Sequence, residues 1–163
     1  MVVLGIDPGS TVTGYGVVRQ HRGRFHYLGS GCVRTKSSDP MGQRLALIHG
    51  RLNEALDQFR PDEVAIEAIF KHKSAESALR LGQARGVALL VAAQHGYEAH
   101  SYNAMTVKRS VGAHGKADKT AMAKMVCMLL GQEVDGPADV TDALAIAITH
   151  CAHARSRSRG LVG

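Results

Sequence analysis

The stretch VLGIDPGSTVTGYGVV, residues 3–18, constrains the fold more than any other part of the chain. Val2, Val3, Leu4 and Ile6 are too uniformly apolar for a strand with one wet face, so residues 1–6 read as a strand buried on both sides. That strand delivers a carboxylate, Asp7, straight into Pro8 and Gly9, and the chain then enters a second strand-like run over residues 12–20. An acid closing a buried strand loses hydration that hydrogen bonds or a cation must replace. The opening therefore demands both a central strand and a special environment for the charge at its end.

The rest of the chain supplies the partners of that strand. Residues 24–34, where Phe25 and Tyr27 alternate with polar neighbours, form a third strand, and HRGR at 21–24 is the turn before it, giving an antiparallel meander. Between Pro40 and Pro61, Leu45, Leu47, Ile48, Leu52, Ala55, Leu56 and Phe59 recur at helical spacing. DEVAIE, residues 62–67, is a short fourth strand that also ends in an acid, Glu67. Residues 74–95 read as a long helix stopped at Gly96, and residues 97–102 as a fifth strand. A short helix and a glycine-bearing loop follow over 105–115, then two helices over 117–130 and 140–154. The expected architecture is one α/β domain over residues 1–154, a five-stranded mixed sheet flanked by helices on both faces. The basic tail over 155–163, RSRSRGLVG, has no apolar periodicity and is expected to be disordered.

Composition narrows the setting. A chain of 163 residues buries a real core as one domain without staples. Cys32, Cys127 and Cys151 are odd in number and widely spaced, which argues against a disulfide framework and fits a reducing cytosol. His150, Cys151 and His153 form an H-C-x-H group, but no second pair of ligands stands at zinc-site spacing, which argues against zinc. The N-terminus lacks a signal-peptide pattern, and no apolar run approaches the roughly 20 residues of a membrane span, so a soluble, cytoplasmic protein is expected. The formal charge of +6 suits an anionic partner such as nucleic acid.

Asp7 and Glu67 each stand at the carboxyl end of an apolar strand, the end where open α/β sheets bind ligands. In GPADVTDALAIAITHCAH, residues 136–153, Asp139 and Asp142 are three apart and share one face of a helix's first turn. Read blandly, Asp139 is an N-cap with Asp142 as its capping-box partner, and Glu67 is a strand-end acid paired with a lysine. Read together, four converging carboxylates need counter-charge, because like charges at close range raise each other's pKa. Mg²⁺ or Mn²⁺ prefers such oxygen ligands, and a pair of ions about 4 Å apart serves metal-assisted phosphodiester hydrolysis.

The basic residues fit such a substrate. Lys108, Arg109, Lys116, Lys119 and Lys124 crowd residues 107–124 against one acid, Asp118, a run suited to following phosphates or simply to a solvated helix face. Phe70 stands just beyond Glu67, ahead of Lys71, His72 and Lys73. It is either a base-stacking wedge or a core aromatic at a strand-to-helix corner.

Taken in order, GIDPGSTVTGYGVV, EAIF, SALRLGQARG, the segment from VKRSVG to KADK, and PADVTDALAIAITH resemble the motifs of the RuvC family of Holliday-junction resolvases, over residues 2 to about 153. The resemblance implies an RNase H-like, or integrase-like, fold. It implies a homodimer that nicks two strands of like polarity in a four-way DNA junction, leaving ligatable ends. It also implies Mg²⁺ or Mn²⁺ as cofactor, two ions per site, and as partners the RuvA junction-binding protein and the RuvB branch-migration ATPase. By motif, the family's catalytic and metal-binding acids fall on Asp7, Glu67, Asp139 and Asp142. Phe70 takes the place of its base-contacting aromatic, and Lys108 and Lys119 fall on its DNA-binding positions, beside Arg109 and Lys116.

The sequence departs from the family pattern at Gly112-Ala113-His114-Gly115, where one glycine of the usual G-x-G loop is displaced. At the third acid, where the family varies between aspartate and histidine, this chain has Asp139. Gly82 and Gly86, four apart among Ala and Leu, permit close helix packing, either on the protein's own sheet or across a dimer. Three other readings compete. The DPGST loop resembles the phosphate loop of actin-like ATPases, but the chain lacks room for that fold's second domain. A non-catalytic nucleic-acid-binding scaffold explains the basic residues and leaves the four acids idle. A nuclease acting on RNA or another branched substrate would share the same acids.

Overall fold

The structure is a computed structural model and describes residues 1–68, 74–112 and 119–158. The strands are β1 (Val2–Asp7), β2 (Val12–His21), β3 (Arg24–Arg34), β4 (Glu63–Glu67) and β5 (Ala99–Tyr102). The helices are α1 (Met41–Phe59), α2 (Ala75–Gln94), α3 (Ala104–Ser110), α4 (Lys119–Leu130) and α5 (Ala138–Ser158). The sheet order is β3-β2-β1-β4-β5, with β1, β2 and β3 antiparallel and β1, β4 and β5 parallel. The uniformly apolar first strand is thus the central one.

Each strand feeds two cores because its side chains alternate between faces. Leu4, Ile6, Val64 and Ile66 pack with Val17 and Val33 under α1 and α2, through Ile48, Leu52, Leu56, Ala88 and Val91. Val3, Val18 and Ala65 pack on the other face under α3, α4 and α5, through Val107, Val126, Leu144 and Ile148. Counting by two from Val3 and Ala65 puts Asp7, Glu63 and Glu67 on the α5 face.

Local chemistry sets the element ends. The β2–β3 hairpin turns on Arg22 and Gly23, both at positive φ (49° and 81°), which matches the two-residue turns that suit twisted strands. Ser74 caps α2 by accepting from the Ser77 amide at 3.2 Å, and Gly96 ends it at φ 82°. At α5 the structure decides between the two readings of Asp139 and corrects the end of the helix. The helix begins at Ala138, so Asp139 lies inside its first turn and is not the N-cap. It also runs to Ser158, four residues past the expected boundary, since Arg is a good helix former and the turn before it is already hydrogen-bonded. Residues 159–163 lie outside the described residues. All three cysteines are free, and burial pushes the Cys151 thiol up to about 12, leaving it inert.

Candidate active site

The four acids meet because the register of the sheet and one helix bring them together. Gly5 pairs with Ala65 and Ile6 with Ile66 across the parallel β1–β4 ladder, so Asp7 and Glu67 follow as neighbours. On the other side Asp7 pairs with Gly14 of β2. The start of α5 rests on that glycine: a Cβ at Gly14 would stand 2.1 Å from the backbone oxygen of Asp139. Gly5 and Gly16 complete a bare lane, where a Cβ would come 2.2 Å from the Ala143 carbonyl oxygen and 2.6 Å from Leu144 Cγ, respectively. These glycines let the helix backbone lie directly on the sheet and carry Asp139 and Asp142 to Asp7.

The electrostatics register this convergence. The Asp7 carboxyl is pushed up to about 9, first by burial and then by Glu67, which repels it and shares a hydrogen bond with it, with Asp142 and Asp139 adding to the effect. Asp7, Glu67, Asp139 and Asp142 are all half-buried, open enough for an ion or substrate to reach. A set of four oxygen-donor carboxylates, one held protonated for want of counter-charge, fits hard divalent cations.

A pH dependence follows. In chelator the folded state holds a proton on Asp7 that the unfolded chain releases near its ordinary value of 3.8. The folded state therefore binds more protons through that interval, and its stability falls as pH rises toward about 9. We expect the melting temperature of metal-free protein to drop between about pH 5 and about pH 9, and millimolar Mg²⁺ to restore most of the loss at the alkaline end. Thermal denaturation over that range, with and without Mg²⁺, measures it.

The loop that follows Asp7 is tied down by buried polar groups. Thr13 Oγ1 donates to the Gly9 carbonyl at 2.7 Å. Arg44, only 4% exposed, donates to the Ser10 carbonyl through Nη2 at 2.6 Å and Nε at 3.0 Å, and Thr35 Oγ1 donates to the same oxygen at 2.6 Å. No sequence signal distinguished Arg44 from the surface arginines, because its role depends on a loop 34 residues away. Arg44→Ala should cost about 2–3 kcal/mol in denaturant titrations, through the lost charge-assisted hydrogen bonds to the Ser10 carbonyl, which would keep Thr35 Oγ1 alone.

The other expected site residues are placed only in part. Lys108, half-buried, and Arg109, exposed, occupy the last turn of α3, which packs along α5. Lys119 opens α4. Phe70 and Lys116 lie outside the described residues, as do Lys71, His72 and Lys73. Gly86 does not pack on the protein's own sheet: nothing lies within 4 Å of where its Cβ would be, and Leu79 (64%) and Leu90 (52%) stand exposed on the same helix.

A mixed sheet of this order, with acids from two adjacent parallel strands and from the helix laid across them, defines an RNase H-like nuclease. The chain matches the family model "Crossover junction endodeoxyribonuclease RuvC" over residues 3–150. It is 51% identical over 150 residues to the enzyme of that name from Cronobacter sakazakii, covering 92% of this chain and 86% of the relative, and the Klebsiella pneumoniae enzyme gives the same figures. Among solved structures, Thermus thermophilus RuvC in complex with Holliday junction substrate superposes with a TM-score of 0.86 at 38% identity, over 95% of this chain and 96% of that one. The yeast mitochondrial Holliday junction resolvase shares the fold at a TM-score of 0.65 and 17% identity, covering 98% of this chain and 84% of that one. The chain belongs to the RuvC family of crossover junction endodeoxyribonucleases. Membership implies divalent-metal dependence, which the carboxylate set fits. No described helix is long and apolar enough to cross a membrane.

Proposed function

We propose that this protein resolves four-way DNA junctions by paired nicks in two strands of like polarity, leaving ends that ligase can join, in recombination and repair. The observation that carries the reading is the convergence of Asp7, Glu67, Asp139 and Asp142, within a chain 51% identical to crossover junction endonucleases. Asp7 and Glu67 from adjacent strands and Asp139 and Asp142 from α5 hold the metal. Two Mg²⁺ or Mn²⁺ ions, when bound, supply an activated water on one side of the phosphodiester and charge stabilisation of the leaving oxygen on the other. The chain's part is to fix four carboxylates on rigid elements before substrate arrives, so that no side-chain reorganisation is charged to the reaction.

Lys108, Arg109, Lys116 and Lys119 follow the phosphates, and Phe70 contacts a base near the scissile step. The functional unit is a homodimer, whose two-fold axis matches that of the junction and places one acid cluster on each of two strands. The exposed face of α2, with Gly86 between Leu79 and Leu90, supports that pairing. RuvA and RuvB are its partners, and the cytoplasm its compartment, on the strength of family membership.

The test is a nicking assay on a labelled synthetic four-way junction, with linear duplex and an RNA–DNA hybrid alongside, in Mg²⁺, Mn²⁺ and chelator. Paired metal-dependent nicks confined to the junction are expected. Cleavage of the hybrid alone would move the protein to RNA substrates, and binding without nicks in any metal would make it a scaffold.

A further inference from the structure

The helix that brings Asp139 and Asp142 to the acid cluster carries a buried histidine, His150, farther along. His150 of α5 is completely buried, and residues of the strands beneath it meet both of its ring nitrogens. Its Nε2 meets Glu63 Oε2 of β4 at 2.5 Å, and its Nδ1 meets the Tyr102 hydroxyl at 2.9 Å. His100 of β5 approaches the same Glu63 oxygen through Nε2 at 3.3 Å, with its ring 4.5 Å from the His150 ring. The ligand atoms of Glu63, His100 and His150 all lie within 4.8 Å of one another.

We propose that Glu63, His100 and His150 form a binding site for a borderline transition-metal cation of the Zn²⁺ type, separate from the four-acid cluster. Two imidazole nitrogens and one carboxylate oxygen are the donors such an ion takes, with water as a fourth ligand. Ligands about 2 Å from a tetrahedral ion stand about 3.3 Å apart, which is the His100–Glu63 spacing already present, and the His150–Glu63 contact must open by less than 1 Å. Tyr102 supplies the outer hydrogen bond that fixes the His150 ring and its tautomer. Glu63 and His100 are about one-third exposed, so the ion has a way in.

The site is distinct in place and in chemistry. His150 lies eight residues along α5 from Asp142, about 12 Å down the helix axis. Mg²⁺ disfavours nitrogen ligands, so the ion serving the acids does not compete well here. Occupancy would join α5 to β4 and β5 across 87 residues of sequence, clamping the helix whose N-terminal end carries Asp139 and Asp142.

Untagged protein stripped by chelator and titrated with Co²⁺ tests this, because the visible absorption of Co²⁺ reports nitrogen-rich, low-coordinate ligation. Wild type and Asp7→Asn should each show one equivalent of the band, and excess Zn²⁺ should bleach it, Zn²⁺ being the stronger binder. In His100→Ala, with folding checked by circular dichroism, the band should vanish. Glu63→Gln should bind at least about tenfold more weakly. The proposal is overturned if wild type shows no band, if folded His100→Ala keeps it unchanged, or if Asp7→Asn alone removes it, which would put the ion among the four acids.

Discussion

Asp7→Asn is expected to abolish junction cleavage while leaving junction binding intact or tighter. The carboxylate sits where β1, β4 and α5 meet, and its protonation registers all three other acids. Removing it takes away a ligand from metal chemistry worth several kcal/mol of transition-state stabilisation, so the nicking rate should fall by about a thousandfold or more. Binding should survive, because a negative charge beside the phosphates has gone and the basic residues remain. The same substitution should stabilise metal-free protein at alkaline pH, since the neutral amide no longer pays the repulsion that pushes Asp7 to about 9. Single-turnover nicking, gel-shift titration and thermal melts in chelator together measure it. Loss of binding and folding along with cleavage would make Asp7 structural.

Gly14→Ala is the second large effect, and it touches no charged group. Its new Cβ would sit 2.1 Å from the Asp139 carbonyl oxygen and 2.5 Å from the carbonyl carbon, both backbone atoms that no rotamer change can move aside. The N-terminal end of α5 must lift, taking Asp139 and Asp142 away from Asp7. Overpacking of this kind costs about 1–3 kcal/mol, and a displacement near 1 Å at a reacting centre costs about a hundredfold in rate. Gly50→Ala is the control: its Cβ would meet nothing within 4 Å in the middle of α1, so stability should hold or rise by up to about 1 kcal/mol with cleavage unchanged. If Gly14→Ala cleaves as well as wild type, the start of α5 does not set the acid geometry.

The elements most legible in the sequence were those whose signal is local. The apolar run of β1, the alternation in β3 and the 3.6-residue pattern of α1 each declare themselves within a few residues. Asp7 and Glu67 stood out because each closes a strand, and the family motifs ordered them with Asp139 and Asp142. What the sequence left unread depends on long-range packing. Asp139 reads equally well as a cap or as a first-turn residue until Gly14 is seen beneath it. Arg44 resembles any helix-surface arginine until the Ser10 carbonyl comes to meet it. The meeting of Glu63 and His100 with His150 was invisible because His150 lies 87 and 50 residues further on.

The acids come from the first strand, the fourth strand and the last helix, so the cluster is finished only when synthesis has reached the end of the fold. A chain broken off before residue 139 carries half of the carboxylates and lacks the helix that covers the sheet beside them. Nascent and truncated copies are therefore expected not to cut DNA. On that reading, cutting waits on the last helix of the fold.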